Sequence, residues 1–528
     1  MPSTFAVAPI PLGPEGLTGS KNLSTVRPTQ LLRAHNITME NGTIQKEPGT
    51  SKYTAAAIDG GATIQGGWDW WPSVGVQRSV IFTSNGKLLK DSGAGTYPTT
   101  LASGLSVANV VPVFVEAGKE AAANNRKLFT FTGLNQVQVL SGDGATTAAI
   151  TTPPADWAAG AFPKTGVVHE GRLWGFMNHF AYYSTTTDHE NFTGAGSGQM
   201  FIYPGEGEEI VAAFVFGPYI VVVKQPHGIY LIDTTAVSTA NWRANRITRQ
   251  IGIAGPLAYA VMDGDGVVVD VSGEYFALSA ITELNDIRPR SLTQDAEISP
   301  FLRENTNPTS YGKIVGLYYP GKRQGWFATP GAGSTINNAR LKLDVNRPGA
   351  VRFAFSDFVT CESMWLRKDA NGIPRPVGGD NAGFVRLLDQ TALTHDAGGY
   401  EAQFQTPHTD LAYLDPLLAT KRKNGHALEL VHEPQGEWDL SVQVLWDGKL
   451  EDTYAFSMRG AGGAILGSTT TLDAVGHFIL GGDQVVTTKK RITGGGRRIS
   501  LIGSNNGAGQ GFSVAAAYLH YLPGDERE

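Results

Sequence analysis

From about Ser51 to Asp389 the chain repeats one hydrophobic pattern, in which an apolar run, a short polar turn and a second apolar run follow each other. Each copy predicts a β-hairpin, because apolar β-forming runs flank turn residues. The five clear copies are SVIFTSNGKLLKD (Ser79–Asp91), KLFTFTGLNQVQVL (Lys127–Leu140), RLWGFMNHFAYYS (Arg172–Ser184), YIVVVKQPHGIYLID (Tyr219–Asp233) and GVVVDVSGEYFAL (Gly266–Leu278). Weaker copies follow at Arg323–Val345 and Arg375–Asp389.

The spacing of these hairpins predicts a β-propeller. The turn centres lie near positions 85, 135, 179, 227, 273, 324 and 380, so most gaps are about 44–51 residues and the last is longer. A four-stranded propeller blade repeats at about 40–50 residues. One small twisted sheet cannot bury both of its faces alone, and radial stacking of such sheets solves that problem. We count seven blades, with six or eight as alternatives. The competing interpretation is a chance series of hairpins in a β-sandwich.

The pattern changes after about Tyr400. The segment WDLSVQVLW (Trp438–Trp446) alternates with period two, which places Trp438, Leu440, Val442, Val444 and Trp446 on one face, and Asp447-Gly448 then supplies a hairpin turn. Further strands are predicted at His426–Glu433, Thr453–Met458, His477–Gly482, Arg497–Ser504 and Phe512–Leu522. One-sided alternation of this kind is typical of an antiparallel sandwich.

The sequence therefore predicts an all-β protein in three parts. Residues 1–50 form an extended N-terminal arm that lies over other parts of the fold, with a hairpin at Asn41-Gly42. Residues 51–399 form the propeller, and residues 400–528 form the C-terminal β-sandwich. No helix longer than two turns is expected.

Composition narrows the class of protein. Apolar residues make up 41% of the 528 residues, which excludes a wholly disordered chain, and 65 scattered glycines indicate many turns. The net charge of -6 argues against a protein that grips nucleic acid through its phosphates. Cys361 is the only cysteine, which excludes an internal disulfide and a cysteine-built zinc site. We expect neither a secretory signal nor a membrane span, because the N-terminus lacks a basic leader with an apolar core and no 18-residue apolar stretch occurs.

Several polar clusters contain the residue types of metal sites or acid–base sites. His169-Glu170 and Asp188-His189-Glu190 lie close in sequence, but the predicted strands and turns do not offer two histidines one helical turn apart. Asp263-Gly264-Asp265-Gly266, with Asp270 beyond, resembles a calcium loop superficially and lacks its alternating ligands. Gly194–Gly198 is glycine-rich, but no helix follows it to hold a phosphate. Turn polarity explains all of these better than chemistry.

Aromatic and basic clusters remain. Trp68-Asp69-Trp70-Trp71 and Phe180-Ala181-Tyr182-Tyr183 are either a sugar-binding platform or, as we favour, residues of a blade core or subunit interface. Lys489-Lys490-Arg491 and Arg497-Arg498 form a basic cluster that we interpret as solvated strand ends. We therefore predict no catalytic, cofactor-binding or metal-binding residue, and no enzyme activity.

The order of several motifs resembles the tail hub and tail nozzle proteins of short-tailed bacteriophages. The segments that carry this resemblance are NGTIQKEPGTSKY (Asn41–Tyr53), GKLLKD (Gly86–Asp91), HEGRLWGFMNHFAYYSTTTDHENF (His169–Phe192), EEIVAAFVFGPYIVVVKQPHGIYLID (Glu208–Asp233) and RQIGIAGPLA (Arg249–Ala258). The match covers roughly residues 30–300 and is weaker towards the C-terminus. Lys46-Glu47-Pro48-Gly49 departs from the family, which has a basic pair before this Pro-Gly.

The resemblance implies a structural protein of the virion tail. Such proteins form a homo-oligomeric ring, typically hexameric, below the portal and adaptor proteins. The ring extends the DNA channel, retains packaged DNA and supports tail fibres or spikes, while DNA passes without sequence-specific binding. A closed ring needs heterologous contacts repeated by rotation. We expect a neutral or negative lumen, because tight phosphate binding would retard DNA.

Two alternatives stay open. One is a carbohydrate-active or carbohydrate-binding propeller, for which a funnel with convergent carboxylates or a histidine is expected. The other is a peripheral fibre or spike adaptor, for which trimeric assembly is expected.

Overall fold

The computed structural model describes residues 5–20, 26–40, 42–118, 126–205, 207–279, 291–347, 350–459 and 485–524. Within them, strands dominate from the first residues onward. The N-terminal strands are β1 (Ala6–Ile10), β2 (Arg33–His35), β3 (Ile37–Glu40), β4 (Thr43–Lys46) and β5 (Gly49–Lys52). Glu40 pairs with Thr43, and Gly42 has a φ of +81°, which confirms the hairpin predicted at Asn41-Gly42.

Four sheets of four strands follow in chain order. In each of them every strand pairs antiparallel with the next. The first contains β6 (Ile64–Ser73), β7 (Val76–Thr83), β8 (Lys87–Lys90) and β9 (Thr99–Ala102), and the second β10 (Val113–Ala117), β11 (Lys127–Phe131), β12 (Gln138–Ser141) and β13 (Ala148–Ala149). The third contains β14 (Thr165–His169), β15 (Arg172–Met177), β16 (Phe180–Tyr183) and β17 (Gly198–Phe201), and the fourth β18 (Glu209–Phe216), β19 (Tyr219–Gln225), β20 (Ile229–Asp233) and β21 (Arg243–Thr248).

The next sheets depart from this plan. One has three strands, β22 (Tyr259–Met262), β23 (Asp265–Val269) and β24 (Tyr275–Ala277). The strands β25 (Val315–Tyr319), β26 (Gln324–Thr329), β27 (Ala339–Arg347) and β28 (Ala350–Ser356) begin a nine-stranded sheet. The strands β29 (Ser363–Lys368), β30 (Pro374–Gly379) and β31 (Val385–Gln390) form a sheet whose fourth strand is β5 from the N-terminus.

The first strands of these units form a closed circle. Neighbouring first strands contact each other from β6 through β10 and β14 to β18, and from β22 through β25 and β29 back to β6. The gap between β18 and β22 is bridged by Phe214, whose ring stacks on Tyr259 with centroids 4.2 Å apart. This arrangement is a β-propeller, which confirms the predicted fold class. Six blades are separate sheets, and the strands β25–β28 occupy one further position as part of the nine-stranded sheet.

The predicted hairpins are the second and third strands of each unit, which are the two middle strands in all units except the three-stranded one. The five clear copies correspond to β7–β8, β11–β12, β15–β16, β19–β20 and β23–β24, and the weaker copies to β26–β27 and β30–β31. Middle strands are flanked on both edges and packed on both faces, so their sequences are the most apolar. The outer and inner strands, which carry more polar residues, give weaker patterns.

The C-terminal strands form two facing sheets. They are β32 (Ala402–Gln405), β33 (Lys423–His432), β34 (Asp439–Trp446), β35 (Lys449–Ser457), β36 (Val486–Arg491), β37 (Gly495–Gly496), β38 (Ile499–Asn505) and β39 (Ser513–Pro523). Leu440, Val442, Val444 and Trp446 of β34 are buried in one cluster with Leu428 and Leu519 of the facing sheet, as the alternation predicts. Asp447 and Gly448 both have positive φ, as a two-residue hairpin turn requires.

Strand pairing crosses both predicted boundaries. The nine-stranded sheet has the order β25-β26-β27-β28-β2-β32-β38-β34-β35, so it runs without interruption from a blade into the sandwich. The other sheet has the order β3-β4-β39-β33-β36, with β1 beside β39 and β37 beside β33. Residues 1–50 are therefore not an arm laid over the fold. They supply four strands to the sandwich sheets and one to the last blade.

Helical structure is short in the described residues. The α-helices are Leu292–Asp295 and Ser299–Asn305, between two blades, and the second matches the expectation of two turns at most. The 3-10 turns are Ile58–Gly60, Ala155–Ala159, Thr239–Asn241, Pro308–Lys313 and Pro416–Ala419. The strand predicted at His477–Gly482 lies outside the described residues.

A buried ionic group joins the N-terminal segment to the blade and the sandwich. We call it the Glu47 cluster (Glu47, Arg340, Lys342, Ser356 and Tyr400). The Glu47 carboxylate accepts hydrogen bonds from Arg340 and Ser356, Lys342 Nζ lies 2.7 Å from it, and the Tyr400 hydroxyl donates to the Glu47 carbonyl. Burial alone would raise the pKa of Glu47, but Lys342 and Arg340 outweigh it and hold that pKa below its usual value.

Candidate functional site

A central channel runs along the axis of the propeller. Its volume is about 790 Å³, within the range of about 300–1,000 Å³ that small-molecule sites occupy. The first strand of every blade contributes to its wall. Most wall residues are apolar, including Val113, Val167, Val215, Val315 and Leu317.

Polar groups gather where the inner strands β6, β10 and β29 end. We call this region the channel mouth (Trp68, Asp69, Trp71, Glu116 and Lys368), and all five residues line the channel. A β-bulge between Trp70 and Ser73 alters the side-chain direction at this end of β6. Trp70 is fully buried in the blade core, whereas Trp68, which packs against the same core, and Trp71 are half-buried at the channel.

Asp69 holds the mouth together. Its carboxylate accepts hydrogen bonds from the Trp71 indole N–H at 3.1 Å, from Gln77 Nε2 at 2.8 Å and from the backbone N–H of Lys368 at 3.0 Å. The last contact ties β6 to the end of β29, that is, the first blade to the last. With these donors in place Asp69 fixes the positions of the Trp71 ring and of the Lys368 backbone.

Glu116 has a different environment. Burial raises the pKa of Glu116, although Arg126 opposes this, with its Nη1 atom 3.5 Å from Oε1. Arg126 also donates to the Trp71 carbonyl at 2.6 Å, and the Lys368 ammonium lies 5.1 Å from the centre of the Trp71 ring. Two carboxylates and two cations therefore lie at or beside the mouth, and their formal charges cancel.

The histidine and carboxylate clusters of the third blade are structural. His169 is buried on β14, with Nε2 2.9 Å from the Thr234 hydroxyl, and Glu170 occupies a turn with a positive φ. Glu190 accepts from Lys127 Nζ at 2.6 Å and from the Thr151 N–H at 3.1 Å, so it links the second blade to the third.

The neighbours of Glu190 belong to the same turn. Asp188 accepts from the Glu190 backbone N–H at 3.0 Å, and burial lowers the pKa of His189. The structure does not bring His169 and His189 to a common ligand position. Turn and interblade contacts account for His169, Asp188 and Glu190.

The acidic turn of the fifth blade also serves the fold. Asp263 accepts from the Tyr318 hydroxyl at 2.6 Å, Asp265 accepts from the Gly266 N–H at 2.7 Å and from Ser279, and Asp270 accepts from the Gly252 N–H at 2.9 Å. These carboxylates point to separate partners. Across the described ranges, no group of three or more His, Cys, Asp or Glu residues is placed to hold a metal ion.

The second aromatic cluster and the glycine run are parts of the blades. Tyr182 donates to Asp156 at 2.6 Å and belongs to the core between the second and third blades, whereas Tyr183 packs on Trp174 and Trp242 in the next core. Burial removes these rings from any platform for sugars. Gly194–Gly198 form a turn in which the Gly196 carbonyl accepts from Arg172 at 2.6 Å.

The basic cluster lies at a sheet edge. Lys489, Lys490 and Arg491 are exposed on β36, which pairs with β33 on one side, and Lys489 lies 4.0 Å from Glu429. Charged side chains on an edge strand discourage pairing with another chain. Arg497 is exposed and Arg498 half-buried in the following segment, where their backbone N–H groups donate to Asp447.

Sequence reasoning found only one part of the mouth. Trp68, Asp69 and Trp71 drew attention as an aromatic run, but Glu116, Arg126 and Lys368 come from other blades and stand alone in the sequence. A charged residue near the end of a first strand is the signal that could have pointed to Glu116 and Lys368. That signal requires the inner strands to be known beforehand.

Comparisons with known proteins add little beyond the fold. No protein-family model matches the chain, and no curated protein matches it. Among solved structures, U3-55K is 9% identical with a TM-score of 0.41, and the match covers 65% of this chain and 99% of that chain. BamB from Moraxella catarrhalis is 12% identical with a TM-score of 0.36, and the match covers 67% of this chain and 96% of that chain. Similarity at this level transfers no function.

None of the helices in the described parts of the chain is long and apolar enough to cross a membrane.

Proposed function

We propose that this protein is a non-catalytic structural subunit of a short bacteriophage tail, in the hub or nozzle ring that extends the DNA channel. The ring is a homo-hexamer below the portal and adaptor proteins, and it carries fibre or spike proteins on its outside. Packaged DNA is retained above it and later passes through the opening between subunits. The protein accordingly resides in the virion tail.

One observation carries this proposal beyond the sequence resemblance. The nine-stranded sheet joins a propeller blade to the sandwich by continuous backbone hydrogen bonding. A flexible linker would let the two parts move relative to each other, whereas a shared sheet makes them one body. A ring that withstands the pressure of packaged DNA needs subunits of this kind.

The propeller channel of one subunit is too small to conduct DNA. At about 790 Å³ it has the size of a small-molecule site. DNA would therefore pass through a lumen formed by several subunits, and we expect the subunit surface facing that lumen to be neutral or negative. A lumen lined continuously by Lys and Arg would contradict this part of the proposal.

Electron microscopy tests the proposal directly. An antibody raised against the purified chain is used to label particles recovered from the cells that produce it. We expect the label at the tail, directly below the capsid vertex, and six-fold averages of that region. Label on peripheral trimers, or no label on any particle, would overturn the proposal.

A carbohydrate-active enzyme is the other class to consider. Glycosidases generally use two carboxyl groups, one of which must exchange a proton. The Asp69 carboxylate already accepts hydrogen bonds from three groups, so the mouth is better suited to binding than to hydrolysis. Release of sugar from a polysaccharide by the purified chain would refute the non-catalytic assignment.

A further inference from the structure

The channel mouth combines aromatic rings with a balanced set of charges. Asp69 and Glu116 contribute two negative charges and Lys368 one positive charge, and Arg126, which contacts Glu116 from beside the mouth, adds a second positive charge. A mouth with this balance has no net attraction for an anion or a cation. It suits a neutral ligand that donates and accepts hydrogen bonds.

One buried polar atom at the mouth faces Glu116. The indole N–H of Trp68 is buried, and the acceptor it interacts with is the Glu116 carboxylate. Buried donors are nearly always paired with protein, water or ligand. Because Trp68 and Glu116 both line the channel, hydroxyl groups of a bound molecule can accept from the indole N–H and donate to the carboxylate.

The aromatic rings define the shape of that molecule. The Trp68 and Trp71 side chains are half-buried and border the cavity, and Asp69 fixes the Trp71 indole through its N–H. A fixed indole offers a large apolar face at a low cost in conformational entropy. Pyranose rings have apolar C–H faces and hydroxyl groups at their edges, which matches rings beside hydrogen-bonding groups.

The volume of the channel sets the size of the ligand. Its volume of about 790 Å³ exceeds what one sugar ring fills, and the walls behind the mouth are apolar. Little water is held on such walls, so hydrogen bonds at the mouth are strengthened by the low local dielectric. A short oligosaccharide end fits this combination.

We propose that the channel mouth binds the end of a neutral pyranose oligosaccharide. One sugar ring packs against Trp71, a hydroxyl accepts the Trp68 indole N–H, and other hydroxyls donate to Glu116 and accept from Lys368. The site does not depend on the tail-ring assignment, because every residue in it belongs to one propeller.

Isothermal titration of the full chain tests this site with three probes: maltohexaose, cellohexaose and chitohexaose. We expect at least one of them to bind. Trp71→Ala and Glu116→Gln should each weaken that binding by about tenfold or more, since each removes one stacking or hydrogen-bonding partner. Changes in tryptophan fluorescence on binding should disappear in the same variants.

Two controls keep the test sharp. Glu15→Gln alters an exposed carboxylate near the N-terminus and should leave binding unchanged. Circular dichroism and thermal unfolding of each variant show whether the fold is intact, and Glu116→Asp, which keeps the charge, should bind better than Glu116→Gln. The proposal is overturned if none of the three probes binds at millimolar concentration, or if folded Trp71→Ala and Glu116→Gln bind as the parent does.

Discussion

The propeller and the sandwich are built by opposite rules of chain connectivity. In the third blade, β14 to β17 pair strictly in sequence order within 37 residues, from Thr165 to Phe201. In the sandwich, Ala6 of β1 lies opposite Tyr521 of β39. Pairing within a blade closes only a short loop, so its entropic cost is small. Pairing in the sandwich brings the two ends of the chain together, which costs more entropy and slows folding.

This difference shows which parts of the fold depend on strands that are remote in sequence. The strands of most blades are consecutive in the sequence, but the last blade includes β5 and the sandwich includes β1 to β4 from the N-terminal segment. The Glu47 cluster is centred on the short segment between β4 and β5, which connects the sandwich strands to the last blade. The short N-terminal segment therefore makes many of the strand pairings that join remote parts of the chain.

Removing the charge of Glu47 should have the largest effect. Glu47→Gln leaves Arg340 and Lys342 buried without a carboxylate, which costs about 3–5 kcal/mol of unfolding free energy. Urea unfolding followed by tryptophan fluorescence measures this loss. A loss below about 1 kcal/mol would show that water reaches the cluster and would remove its role as the junction.

Core truncations test whether the two regions unfold together. Leu173→Ala in the third blade and Leu440→Ala in the sandwich each remove a fully buried side chain and should cost about 2–5 kcal/mol. Because the nine-stranded sheet joins the regions, both variants should shift one common transition. Two separate transitions, seen by hydrogen exchange of peptides from each region, would mean that the shared sheet does not couple them.

A glycine substitution tests the closure of the last blade. A Cβ at Gly49 would lie 2.1 Å from the Thr394 carbonyl oxygen and 2.2 Å from that of Ala392, so Gly49→Ala must displace β5. We expect a loss of about 1–3 kcal/mol and faster hydrogen exchange in β31. Gly312→Ala, where the nearest atom would be 3.6 Å away, is the matched control and should have little effect.

The buried Lys423 in the sandwich predicts that the free energy of unfolding depends on pH. The Lys423 ammonium donates to the carbonyls of Asp410, Leu418 and Arg497, and burial lowers its pKa to about 8. The unfolded chain, with the ordinary pKa of about 10.4, binds more protons between these values. The unfolding free energy should therefore rise with pH from about 8 to 10, by at most about 1.4 kcal/mol per pH unit for this lysine.

The pH experiment compares the parent with Lys423→Met. Urea unfolding at about pH 7.5 and 9.5 gives the change in unfolding free energy for each protein. The parent should gain more stability than the variant over this interval. A larger gain in the variant would contradict the direction of the shift.

The smallest effect is expected at an exposed ion pair. Arg27 Nη1 and Glu15 Oε2 lie 2.8 Å apart, with the two side chains 53% and 32% exposed. Glu15→Gln should cost about 0–1 kcal/mol, since exposed pairs gain little. Together with Glu47→Gln it compares a surface carboxylate with a buried one in the same N-terminal segment.

The sequence predicted hairpins between neighbouring strands but did not predict strand pairings and contacts between distant segments. The hairpin of β15 and β16 is visible because Arg172–Met177 and Phe180–Tyr183 are apolar runs around one turn. The role of Arg33–His35 was not visible, since this strand pairs with Phe355 on one side and Gln403–Gln405 on the other. Glu116 and Lys368 of the channel mouth escaped for the same reason, because only the closed circle of blades brings them together.

The pairing of β1 with β39 has a consequence for the synthesis of the chain. About 500 residues separate the two strands, and at about 5–20 residues per second the ribosome needs roughly 25–100 s to make them. During that time β1 has no partner to bind, and its backbone groups are open to other nascent chains. Cells that make this protein would therefore benefit from a chaperone that shields the N-terminal segment until translation is complete.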